Sequence, residues 1–141
     1  LTPIVRTAKG TLVSGKGLRS TDEGKTWTPI KPFPDVSSQG WRQQMIALKN
    51  GWLLASQTPG PGVGGEKITF TVSRDDGKTW DMEHPVEFYN PGREIGGRAC
   101  PRTVELDDNT LGTIFYDTHA KQPGGSGVFF RAMPTARLDK R

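Results

Sequence analysis

The chain has 141 residues, and its 18 Gly and 11 Pro exceed the usual share, which argues against a helical bundle. No apolar run reaches the ~18 residues of a membrane-crossing helix, so a soluble chain with no membrane partner is expected. The net charge of +4 arises from basic residues interspersed with acidic ones, concentrated only at Lys140 and Arg141, so nucleic acid is not an expected partner either.

Taken in chain order, the first unit opens with a short apolar stretch, the tight turn Lys9-Gly10 and a second stretch, predicting strands at 3–8 and 11–15. Strands at 17–21 and 26–30 follow, separated by Ser20-Thr21-Asp22-Glu23-Gly24-Lys25-Thr26-Trp27. That octapeptide recurs as Ser73-Arg74-Asp75-Asp76-Gly77-Lys78-Thr79-Trp80. Each copy reads as a turn: Ser20 and Asp22, or Ser73 and Asp75, bind nearby backbone N–H groups, while Gly24 or Gly77 takes a positive φ. Trp27 and Trp80 then leave the turn and pack against a neighbouring layer.

The second unit predicts strands at 43–49, 52–57, 67–73 and 79–83, with Asn50-Gly51 as the strongest hairpin signal in the chain. The third predicts strands near 101–107, 110–116, 127–132 and 135–138 around Asp108-Asn109, with Met133-Pro134 where the octapeptide would stand. No segment reads as helix. The expectation is all-β: about three four-stranded antiparallel units at 1–36, 37–88 and 89–141, joined by Pro/Gly-rich connections at 31–42, 58–66, 84–100 and 117–126.

The two octapeptides resemble the Asp-box, or BNR repeat, of sialidases and related β-propellers. The segment from Pro101 to Leu138 is similar to the closing blade of such a propeller. The resemblance implies three blades, half of a six-bladed sialidase-type propeller, with the octapeptides structural and facing away from the active site. It also fits a secreted or periplasmic protein.

Three blades leave two open flanks of a closed ring, so the missing blades are expected from a parent chain or from a second copy. The first residue, Leu1, and the absence of a signal segment point to a processed or excised piece. Cys100 has no disulfide partner, and with only His84 and His119 beside it neither a metal site nor any other cofactor is expected.

Chemistry is expected on the face bearing the long connections, which hold Trp41, Arg42, Glu66, Tyr89, Arg93, Glu94, Arg98, Asp117 and His119, with Arg102 nearby. Arg42, Arg93, Arg98 and Arg102 are the candidate substrate ligands, because guanidinium forks bind carboxylates in pairs of parallel hydrogen bonds. Sialidases use an arginine triad on an acidic sugar, so an acidic glycan is the implied ligand. Glu94 is the candidate acid/base and Tyr89 the candidate nucleophile. Where the resemblance implies Gly-Tyr or Tyr-Pro at the start of the last blade, Gly97-Arg98-Ala99-Cys100-Pro101 stands instead. A sialidase-like exo-glycosidase is the leading reading, with a non-catalytic Asp-box propeller that binds glycan or protein as the alternative.

Overall fold

Short apolar stretches punctuated by tight turns pair here as antiparallel meanders, because each turn returns the chain beside the strand it has just left. The computed structural model describes residues 2–34, 44–61, 64–107, 109–121 and 127–139. In the first sheet β1 (Ile4–Arg6), β2 (Leu12–Ser14), β3 (Leu18–Ser20) and β4 (Thr28–Pro29) lie in sequence order. The second repeats that order with β5 (Gln44–Ala47), β6 (Leu53–Gln57), β7 (Ile68–Ser73) and β8 (Val86–Tyr89). The third holds β9 (Arg102–Asp107), β10 (Thr110–Tyr116) and β11 (Val128–Pro134).

Contacts join β1 to β5 and β5 to β9, so the first strands of successive sheets adjoin and the later strands run outward. These are blades of a β-propeller. The faces of the blades bury two cores. Val13 and Ile30 of blade one, with Val5 and Phe33 beside them, meet Met45, Leu53, Ala55 and Trp80 of blade two. The other face of blade two contributes Leu54, Phe70, Val72 and Phe88 to a larger core with Leu111, Phe115 and Met133 of blade three.

Two expected strands differ. The outer strand of blade two lies at Val86–Tyr89, not 79–83. Asp81 N–H still bonds Val72 O at 2.9 Å, but Met82 N–H then bonds Trp80 O at 2.9 Å, and Pro85 has no N–H to continue the ladder. Pairing resumes beyond it. At 135–138 the expected strand is a 3-10 helix, Thr135–Asp139, the sole helical element among the described residues. Leu138, 1% exposed, anchors it in the larger core, and Arg74 Nη2 holds the Leu138 carbonyl at 2.6 Å. Among the described residues blade three therefore has three strands.

Both octapeptides form the expected turn with nearly equal geometry. Gly24 N–H bonds Ser20 Oγ at 2.9 Å, and Gly77 N–H bonds Ser73 Oγ at 3.0 Å. Thr26 Oγ1 and Thr79 Oγ1 each donate to the turn carboxylate, Asp22 or Asp75, at 2.6 Å.

Candidate functional site

In an up-and-down meander, the β1–β2 and β3–β4 turns share one end of the blades and the remaining connections the other. The long connections therefore meet on the face opposite the octapeptides. Three of them are knitted backbone to backbone: Ile95 N–H bonds Gly65 O at 2.8 Å, and Thr118 N–H bonds Gly96 O at 3.2 Å. A side chain on Gly96 would run into the backbone nitrogen of His119, so only glycine allows that approach.

Asp117, which follows β10, is the hub of this face and is fully buried. Its Oδ2 accepts from Tyr89 Oη at 2.6 Å and from Arg93 Nη2 at 3.0 Å. Its Oδ1 accepts from Arg93 Nη1 at 3.0 Å, Gly96 N–H at 3.0 Å and His119 N–H at 3.1 Å. Burial alone would raise the Asp117 pKa, but the hydrogen bonds from Arg93, Tyr89 and Gly96, with the Arg93 charge, hold it down to about 2. Tyr89 is pushed up to about 12, first by burial and then by its bond to the Asp117 carboxylate. Arg93 is raised by its hydrogen bonds to Asp117. Near neutral pH the Asp117 carboxylate is therefore ionised and the Tyr89 phenol neutral.

The candidate residues therefore separate. Tyr89, at the end of β8, and Arg93 are brought together on Asp117, where both serve to lock three connections. Tyr89, expected as nucleophile, and Arg93, expected as a substrate ligand, both have their polar groups engaged by Asp117 in this arrangement. Glu94 is exposed, and no hydrogen bond or ion pair of its carboxylate is seen among the described residues; its carbonyl accepts from Arg93 Nη1 at 2.9 Å. Arg98 and Arg102 are both exposed, and Arg102 Nη1 also bonds Pro101 O at 2.8 Å. Arg42 lies outside the described residues.

Between Arg98 and Arg102 the backbone is strained, with φ of 53° at Ala99 and 46° at Cys100, a region that side-chain-bearing residues seldom occupy. Beside this bend is a cavity of about 200 Å³ lined by Cys100, Arg102, Ile114, Phe115, Tyr116 and Val128. An aromatic ring and a guanidinium at one opening suit a sugar that carries an acidic group. A larger space of about 360 Å³ lies by the second octapeptide. Its charged groups are engaged with one another, Arg74 with Asp81 at 3.1 Å and His84 with Asp81 at 2.9 Å, so the loop face is the better candidate.

Asp117 was visible in the sequence only as one of several polar loop residues. The signal that could have marked it was the glycines: Gly64 and Gly96 allow the close backbone approach between the loops around it.

No family model matches the sequence, and no curated protein matches it. Among solved structures, the chain is similar to an alpha-L-arabinofuranosidase from Fusarium graminearum, solved in mutant form with an iminosugar inhibitor. The TM-score is 0.66 at 19% identity, over 99% of this chain and 45% of that one. The likeness is one of fold, and this chain spans less than half of the other's length.

Proposed function

We propose that the chain forms part of the substrate-binding face of a glycoside-hydrolase propeller of sialidase type, acting on acidic glycans. The observation that carries this reading is the fold likeness to an arabinofuranosidase over 99% of the chain. It is a fold analogy, and the chemistry must come from the site itself. In this reading Arg98 and Arg102 flank the strained bend and hold the acidic group of the sugar, with Tyr116 beside its ring. Glu94 is the carboxylate available for proton transfer. Tyr89, Arg93 and Asp117 position the loops. Asp117 is not the second acid group that a glycosidase pair requires.

The alternative, glycan binding without hydrolysis, is favoured by one observation: the Tyr89–Asp117 pair is locked by hydrogen bonds. Assays with aryl sialosides, aryl glucuronides and aryl α-L-arabinofuranosides, with calorimetry on the matching free sugars, separate the two readings. The enzyme reading expects release from an acidic glycoside that Glu94→Gln abolishes while binding persists. Saturable binding without release, weakened by Arg102→Ala, supports the alternative. Neither turnover nor binding by any of these sugars overturns both.

A further inference from the structure

The faces of blades one and two can be compared position by position, because their ladders share one register. Ile4 pairs with Ser14 as Met45 pairs with Ala55, and Leu12 pairs with Ser20 as Leu53 pairs with Ser73. Trp27 corresponds to Trp80 in the octapeptides. In blade two Met45, Leu53, Ala55 and Trp80 are at most 5% exposed, because Val13 and its neighbours in blade one cover them. In blade one the same face is less covered: Ile4 is 59% exposed and Leu12 and Trp27 are only half-buried, although Ser14, at the position of Ala55, is buried.

What covers Trp80 is the opposite face of the preceding blade, built on the Val5–Val13 pair. In blade three the corresponding pair is Val104–Gly112, and that face is also less covered. Val104, Leu106, Ile114, Tyr116 and Phe130 are 47–61% exposed there. Among the described residues two apolar faces thus lack a covering layer, one of the covering kind and one of the covered kind. They lie at opposite ends of a three-blade arc, so one copy cannot bring them together. A patch of five large apolar side chains exceeds the scattered exposure ordinary for a monomer surface.

We infer that the occupant of each face is a second copy of this chain, the blade-three face of either copy packing on the blade-one face of the other. The contact is head to tail and is made twice about a twofold axis, closing a ring. Three blades doubled fall within the range of closed propellers, and two chains, each spanning 45% of the solved relative, approach its length. This inference does not rest on the proposed activity; because Ile114 and Tyr116 also line the cavity beside Arg102, closure would bring that cavity to the junction between the two copies.

Sedimentation equilibrium on the 141-residue chain at micromolar concentration is the test, with Ile4→Asp and Phe130→Asp as variants at exposed positions and circular dichroism as the check on folding. Expected are a mass twice 15.5 kDa for the unsubstituted chain and folded monomers for each variant, with dissociation constants raised at least about 100-fold by burying an unpaired carboxylate. Mixing the two variants leaves one of the two contacts intact, so partial recovery of dimer is expected. A folded monomer without substitution overturns the inference and leaves the faces to further blades of a longer polypeptide. A dimer lost in Phe130→Asp but retained in Ile4→Asp overturns it in favour of a symmetric contact between two blade-three faces.

Discussion

The two junctions between blades solve one packing problem by different physics. Between blades one and two the buried set is small, and a charged clasp supplements it. Asp76, beside Gly77 of the second octapeptide, reaches across to Arg19 Nη2 at 2.7 Å and Thr11 Oγ1 at 2.6 Å, while Arg19 Nε bonds the Asp76 carbonyl at 3.0 Å. Between blades two and three an aromatic cluster does most of the work. Phe70 stacks on Phe88 at 4.9 Å, Phe88 meets Phe115 edge-on at 5.9 Å, and Phe115 stacks on Phe129 at 5.5 Å. The lesson is that the blade repeat sets geometry, whereas local side-chain choice sets what holds neighbouring blades together. The second junction is also the one under the loop face, so the candidate site rests on the more apolar support.

Phe115→Ala tests that contrast with the largest expected effect. Phe115 is 1% exposed and touches three other rings, so its loss should cost about 3–5 kcal/mol. A drop in melting temperature of at least about 9 °C is expected, and a shift of a few degrees would show that the cluster refills the space.

Asp117→Asn comes next, at about 2–4 kcal/mol, because it leaves Arg93 without its counter-charge and turns an amide N–H₂ toward donors. It has a pH signature. The Asp117 pKa is lowered in the folded state to about 2, so its contribution is complete above the ordinary 3.8 and is lost as pH falls through about 2. That shift corresponds to about 2 kcal/mol. Between pH 4 and pH 2 the melting temperature of the parent chain should therefore fall more steeply than that of Asp117→Asn. Parallel acid profiles would show that another carboxylate governs acid unfolding.

The clasp of the first junction should be worth less. Asp76 is held ionised against its burial by Thr11, Thr7 and Arg19, and Asp76→Ala is expected to cost about 1.5–3 kcal/mol. Glu23 occupies the corresponding position of the first octapeptide with the same left-handed backbone, φ of 60° against 65°. Among the described residues it has only an exposed pair with Arg6 at 3.8 Å, so Glu23→Ala should stay within about 0.5 kcal/mol under conditions where the chain is monomeric. Chemical denaturation of the two variants side by side reads this difference directly.

The fold was legible because its signals are local. Asn50-Gly51, the alternation around it and the two octapeptides each constrain a few neighbouring residues, and ten of the twelve expected strands formed within a residue or two of their expected places. The fourth strand of blade two was misplaced because Trp80, Asp81 and Met82 look like strand residues, while the decisive events were tertiary: burial of Trp80 against Phe33 and interruption by Pro85. The site was less legible for a related reason. Arg93 and Tyr89 carry suitable chemistry, but their roles depend on Asp117 arriving from a distant loop, which no spacing within 84–100 reveals. Glu94 and Arg102 stand exposed on the face where they were expected, since exposure of a charged loop residue needs no partner to arrange it.

The smallest expected effect separates the two octapeptides themselves. Their internal hydrogen bonds are matched: Thr26 N–H reaches Asp22 Oδ1 at 2.8 Å and Thr79 N–H reaches Asp75 Oδ1 at 2.9 Å. If the turn bonds alone set their value, Asp22→Ala and Asp75→Ala would cost the same. Their surroundings differ, however. Trp27 is half-buried and its indole N–H donates to Gly24 O at 3.0 Å, satisfying itself within the turn. Trp80 is 5% exposed, packs edge-on to Phe33 at 5.3 Å, and its indole N–H has no partner among the described residues. Loosening the second turn therefore disturbs a blade junction, and loosening the first disturbs only a surface loop. Asp75→Ala should cost about 1–2 kcal/mol and Asp22→Ala measurably less in the monomeric chain, as read by urea midpoints at constant slope. In a ring closed by a second copy, Trp27 would sit in a junction too, and the two substitutions should converge as protein concentration rises. Equal costs at every concentration would mean that the turn bonds, and not the junctions behind them, account for the whole effect.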